Sequence, residues 1–177
     1  MLNTKLISKI FGSLLLIEAL LMSCSLGGAL YYGGSDVMPF TWSVVVLIAA
    51  GVAFRLLGLK ASNALSRRDA YFVVTTVWVL FTIFGMMPFL IGGYLHSVTD
   101  AFFETISGFT TTGATIIDYP ERLPRGLLFW RSITQWIGGL GIVFFTIAIL
   151  PSFVGGSTRV FAAEATGPIV TKLHPKL

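Results

Sequence analysis

Four long runs of apolar residues, separated by short segments that hold nearly every charge, organise this chain. The first run extends roughly from Ile10 to Tyr32 and the second from Phe40 to Leu59, with Pro39 in the first helical turn, where proline is tolerated. The third covers about Ala70 to Leu95, with Pro88 predicted to loosen its last turns by removing an N–H donor. The fourth covers about Gly126 to Leu150 and is predicted to end at Pro151. At ~1.5 Å per residue each run reaches across a hydrocarbon core of ~30 Å. The pattern predicts an all-α integral membrane protein with four transmembrane helices.

The segment between the third and fourth runs does not fit that scheme. Asp100 to about Phe109 reads as a helix of about ten residues, ~15 Å, or half a bilayer. Thr99 or Asp100 is expected to cap it, the carboxylate complementing the helix dipole. Thr110-Thr111-Thr112-Gly113-Ala114-Thr115 follows, a run of stiff β-branched residues around one glycine and a poor helix former. Irregular backbone at membrane depth survives only where protein buries it or where it lines a watery cavity. The segment therefore reads as a re-entrant half-helix and pore loop, the alternative being a polar outer loop.

The residue chemistry suits a cation pore. An ion that sheds water needs a cage of carbonyl and hydroxyl oxygens, and uncharged small residues provide it without trapping the ion. The candidate ion-coordinating residues are Thr110, Thr111, Thr112, Gly113 and Ala114, with potassium placed at Thr111, Thr112 and Gly113. Gly113 allows a positive φ that keeps successive carbonyls pointing inward, and the half-helix aims its negative end at the cation. Asp100, Glu104, Gly108 and Arg131 are read as supports of the half-helix and strand. Asp100 and Glu104 serve as cap and hydrogen-bond acceptor rather than ion ligands, and Arg131 anchors the fourth helix to the loop or to a carboxylate.

Composition narrows the class further. The chain is 55% hydrophobic and 11% charged, with a mean hydropathy of +0.85, beyond what a soluble domain covers. The net charge of +4 forms no basic stripe interleaved with aromatics, so nucleic acid is not an expected partner. Nine of the 12 Lys and Arg residues fall on one side of a four-helix layout, and only Arg122, Arg125 and Arg131 fall on the other. Both termini are therefore expected in the cytoplasm of a bacterial-type inner membrane. Leu21-Met22-Ser23-Cys24 could close a lipoprotein signal, but the apolar run continues to Tyr32, too far for one.

Glu18, inside the first run, is expected to be neutral or hydrogen-bonded, with proton coupling the lesser reading. Gly138, Gly139 and Gly141 lie in an apolar helix with no preceding strand and are read as helix-packing positions. No nucleophile or metal constellation is visible, so no enzyme activity and no cofactor are expected.

Phe103-Glu104, Ser107 to Thr115, Phe129-Trp130-Arg131, Gln135 to Gly141 and Ala148 to Pro151 together resemble the first pore repeat of the TrkH/KtrB potassium transporter family. The tail Arg159 to Glu164 with Gly167-Pro168 is also similar, and the first two runs match the extra N-terminal helix pair of the TrkH branch. The resemblance implies a helix pair with cytoplasmic linker over 1–66, one helix, pore-loop and helix repeat over 67–151, and a cytoplasmic tail over 152–177 that leads to a second repeat. It implies that Thr111 to Ala114 form one of four selectivity-filter strands, with potassium as the transported substrate. Such proteins move potassium, sometimes with sodium or protons, as homodimers gated by a cytoplasmic nucleotide-binding ring protein. Family members carry four repeats and this chain has one, so the remaining strands come from further repeats or from copies in a homo-oligomer. A non-conducting subunit that associates with full-length partners in the lipid is the alternative.

Overall fold

The structure, a computed structural model, describes residues 3–59 and 66–153, and side chains are described for these except Arg67 and 142–153. Lys60, Arg159, Lys172, Lys176 and the expected tail beyond residue 153 lie outside the described residues. Among the described residues six α-helices follow one another: α1 (Thr4–Tyr32), α2 (Val37–Leu57), α3 (Arg67–Gly85), α4 (Met87–Ile91), α5 (Val98–Phe109) and α6 (Arg125–Phe153). The described residues up to Ile142 form one compact unit. Among the described residues, three helical stretches are long and apolar enough to cross a membrane: Thr4–Tyr32, Val37–Leu57 and Arg68–Ile91. The 29 residues of α6 give it a length of ~43 Å.

The first two helices form an antiparallel hairpin. Gly33 closes α1 in the left-handed conformation (φ 61°), and the Gly34 N–H reaches back to the Ala29 carbonyl at 3.1 Å. Side by side, the helices touch backbone to backbone. A Cβ at Gly12 would lie 2.6 Å from the Gly51 carbonyl oxygen and the Arg55 nitrogen, and one at Gly58 would lie 2.6 Å from the Lys9 nitrogen. Lipid-facing apolar side chains give helices little reason to associate, so close glycine contact supplies the attraction.

The third predicted span breaks where Pro88 falls. Met86 still donates to the Thr82 carbonyl at 3.0 Å, but Phe89 pairs with Met86 instead of Gly85. The Gly85 carbonyl is thereby released, and the Trp130 indole N–H of α6 takes it at 2.9 Å. Proline thus converts a helix interior into a docking point for a later helix. The core under this break holds Leu15, Phe40, Leu47, Phe89, Phe109, Leu127 and Trp130, all nearly inaccessible. At the other end, α6 runs through Pro151, its expected end, to Phe153, the last described residue.

Candidate functional site: a half-helix and an exposed polar strand

The half-helix α5 has 12 residues, ~18 Å, short of the ~30 Å core. It begins earlier than expected. Ser97 occupies the N-cap position without a side-chain cap bond, and Thr99 and Asp100 lie inside the first turn. Asp100 is exposed there, where its charge complements the helix dipole without capping it.

The C-terminus of α5 folds straight into the threonine run. The Thr111 N–H donates to the Gly108 carbonyl at 3.0 Å and the Thr112 N–H to the Ser107 carbonyl at 3.0 Å. This is a Schellman cap, and its left-handed position, usually glycine, is Thr111 with φ 57°. A β-branched residue there is an outlier. Two residues on, Gly113 has φ 73°, the positive angle anticipated from its residue type. The Ile106, Ser107 and Gly108 carbonyls of the last turn are thus satisfied by the chain itself.

The strand has a bonded back and an open front. Ser107 Oγ donates to the Ala114 carbonyl at 2.6 Å. Thr110 Oγ1 donates to the Ile106 carbonyl at 2.8 Å, which commits its one proton. Thr112 must then be the donor in the 2.8 Å contact between the two hydroxyls. Residues 110–116 are all exposed, so the face carrying Thr110 to Ala114 is polar and uncovered.

Behind the strand lies a charged anchor. Glu104, with a side chain only 3% exposed, accepts a 2.7 Å ion pair from Arg131 of α6. The same carboxylate accepts the Thr115 hydroxyl at 2.9 Å and the Ile116 N–H at 3.1 Å. Arg131 also donates to Thr115 Oγ1 at 3.3 Å. One carboxylate therefore binds the half-helix, the end of the strand and the next helix together, with its charge compensated and its lone pairs used.

Glycines set how closely these parts approach. A Cβ at Gly108 would strike the Thr134 hydroxyl, and one at Gly138 would strike the Phe109 carbonyl oxygen. A Cβ at Gly141 would come within 2.9 Å of the Trp78 ring, whereas one at Gly139 would make only an ordinary contact with Thr111. Phe109, fully buried, meets Phe81 and Trp130 at centroid distances of 5.6 and 6.3 Å and fixes the foot of the strand.

Asp36 is a link between helices that sequence reasoning misses. It immediately precedes α2 yet makes no side-chain cap there. Its buried carboxylate instead accepts the Leu127 N–H of α6 at 3.0 Å. Local rules assign such an aspartate to its own helix, and no sequence signal points to a helix 91 residues away. Thr111 was likewise missed as a left-handed residue, because its type argues against it. Among the described residues no cluster of three or more His, Cys, Asp or Glu is placed to hold a metal ion.

Comparison with known proteins supplies the family. The Trk system potassium uptake protein TrkH of Vibrio parahaemolyticus is 37% identical over 174 residues, covering 97% of this chain and 36% of that protein. The Trk system potassium uptake protein TrkG of Escherichia coli K12 is 32% identical over 177 residues, covering 99% of this chain and 36% of its own length. The crystal structure of the potassium transporter TrkH from Vibrio parahaemolyticus superposes with a TM-score of 0.79 at 35% identity, over 90% of this chain and 35% of that one. The chain thus spans about a third of the length of these relatives. The helical, multi-pass membrane architecture is shared with them, and the family model for TrkH, cation transport protein, matches residues 37–176. This chain belongs to the TrkH family of cation transport proteins.

Proposed function

We propose that this segment contributes one strand, Thr110–Ala114, to the selectivity filter of a membrane pore that takes up potassium. The observation that carries the reading is the strand itself: polar, uncharged, uncovered in front and bonded throughout behind, with left-handed residues at Thr111 and Gly113. Such a backbone presents carbonyl and hydroxyl oxygens to an ion while staying rigid. The names of the relatives, which describe potassium uptake, support the choice of ion.

A single strand does not enclose an ion, so three further strands complete the cage, supplied by additional repeats or by other copies of the chain. Asp100, Glu104, Gly108 and Arg131 act on this strand as supports rather than as ligands. The positive-inside distribution of Lys and Arg supports an inner-membrane location with both termini cytoplasmic. Potassium is the substrate, with no resident cofactor and no covalent chemistry. By family resemblance, a cytoplasmic nucleotide-binding subunit regulates the pore.

The test is potassium-limited growth of cells that lack their own importers. They would express the segment alone and, separately, the segment joined to the remaining two thirds of the Vibrio relative. Gly113→Ser is expected to lower potassium uptake, or its preference over sodium, at least about tenfold, because a side chain strains the left-handed backbone. Unchanged uptake and ion preference in a membrane-inserted Gly113→Ser protein overturns the assignment.

A further inference from the structure

Behind α5, two buried polar side chains lack hydrogen-bond partners: both carboxyl oxygens of Glu18 and the hydroxyl of Thr105. Glu18 is 0% exposed and Thr105 is 2% exposed. They converge on Gly85 of α3. A Cβ built at Gly85 would lie 3.2 Å from Glu18 Oε1, 3.1 Å from Thr105 Cγ2 and 2.9 Å from the Phe109 ring. Helices α1, α3 and α5 therefore meet at Gly85, where a carboxyl oxygen of Glu18 and the methyl group of Thr105 both lie.

Helical threonines ordinarily turn the hydroxyl back to the carbonyl four residues earlier, as Thr82 does toward Trp78 and Thr110 toward Ile106. Thr105 does not. An ionised carboxylate buried without a donor or cation is prohibitively costly, and the one ion pair among the described residues joins Arg131 to Glu104. A carboxylic acid, in contrast, carries a proton that it can donate, and it can accept the threonine hydroxyl.

We propose that Glu18 is a positioning residue for the half-helix, held as the neutral acid and hydrogen-bonded to Thr105 beside Gly85 once Thr105 turns about χ1 to exchange its methyl and hydroxyl positions. The bond ties the N-terminal hairpin to the helix that ends in Thr110. Its effect on transport rests on the filter reading above, but the bond is measured independently of transport.

The experiment is infrared difference spectroscopy of the protein in lipid bilayers at neutral pH. Subtracting Glu18→Gln from the wild type is expected to reveal a protonated-carboxyl C=O band. In Thr105→Val the same band is expected to persist at higher frequency, because the acid has lost its partner. Loss of carboxylate bands instead, or a C=O band that Thr105→Val leaves unmoved, overturns the proposal. If Glu18→Gln fails to insert, the Thr105→Val spectrum decides by itself. Hydrogen exchange of the 110–114 amides then tests positioning. Glu18→Gln is expected to stay near the wild-type rate while Glu18→Leu exchanges about tenfold faster, the loss of one buried hydrogen bond. Equal rates for Gln and Leu remove the positioning role.

Discussion

The α1–α2 hairpin and the α5–strand–α6 region belong to one compact unit but are held together by opposite means. In the hairpin, backbones approach closely at Gly12, Gly51 and Gly58, and a side-chain bond from Ser8 Oγ to the Phe54 carbonyl at 2.8 Å crosses between the helices. Its outward residues, such as Leu20, Leu30, Val45 and Ile48, are apolar and exposed, as lipid requires. In the second region the irregular strand cannot satisfy its backbone by helical bonds, so the side chains of Ser107, Glu104 and Thr115 help to do so, with Arg131 holding Glu104 and Thr115 in place. The difference teaches that in a membrane regular helices need only approach each other closely. A non-helical segment needs its own polar scaffold.

That contrast predicts different ways of breaking each region. The largest effect is expected from Arg131→Met, which keeps the side-chain stem and leaves Glu104 buried with an uncompensated charge. A loss of about 3 kcal/mol is expected, read from equilibrium unfolding in detergent. Adding Glu104→Gln to that variant should recover part of the loss, whereas additive losses would show that the pair does not act as a unit.

Next comes the hairpin, which should be insensitive to charge but sensitive to a single methyl. Gly12→Ala forces a Cβ into the Gly51 carbonyl and the Arg55 backbone, at an expected cost of about 2 kcal/mol. The same unfolding assay checks it, and wild-type stability would remove close backbone contact as the source of association. The smallest effect is expected for Trp130→Phe, which keeps the ring packing but strands the Gly85 carbonyl. About 1 kcal/mol is lost, and hydrogen exchange near the α3–α4 break should quicken while the hairpin stays unchanged.

Much of this was legible in the chain itself. The apolar runs, the half-length helix before the threonines and the break at Pro88 follow from local periodicity and from proline's missing donor, so they survive without tertiary information. Boundaries were less legible: α1 starts at Thr4 rather than near Ile10, and α5 at Val98 rather than Asp100, because capping tolerates several nearby polar residues. Glu104 and Arg131 stood out as supports because charges in an apolar setting demand partners. Asp36 did not, since its neighbour in sequence is the wrong helix.

Residue type and order determined which segments are helical, which one is too short to cross, and that Gly113 takes a positive φ. Only the tertiary structure decided that Thr111 also adopts a left-handed angle, that Asp36 binds α6, that Trp130 takes the carbonyl released by Pro88, and that Glu18 and Thr105 both lie at Gly85. The reason is physical. Helix propensity and apolar periodicity act over a few residues, whereas the partner of a buried polar group is whichever element packing brings within reach.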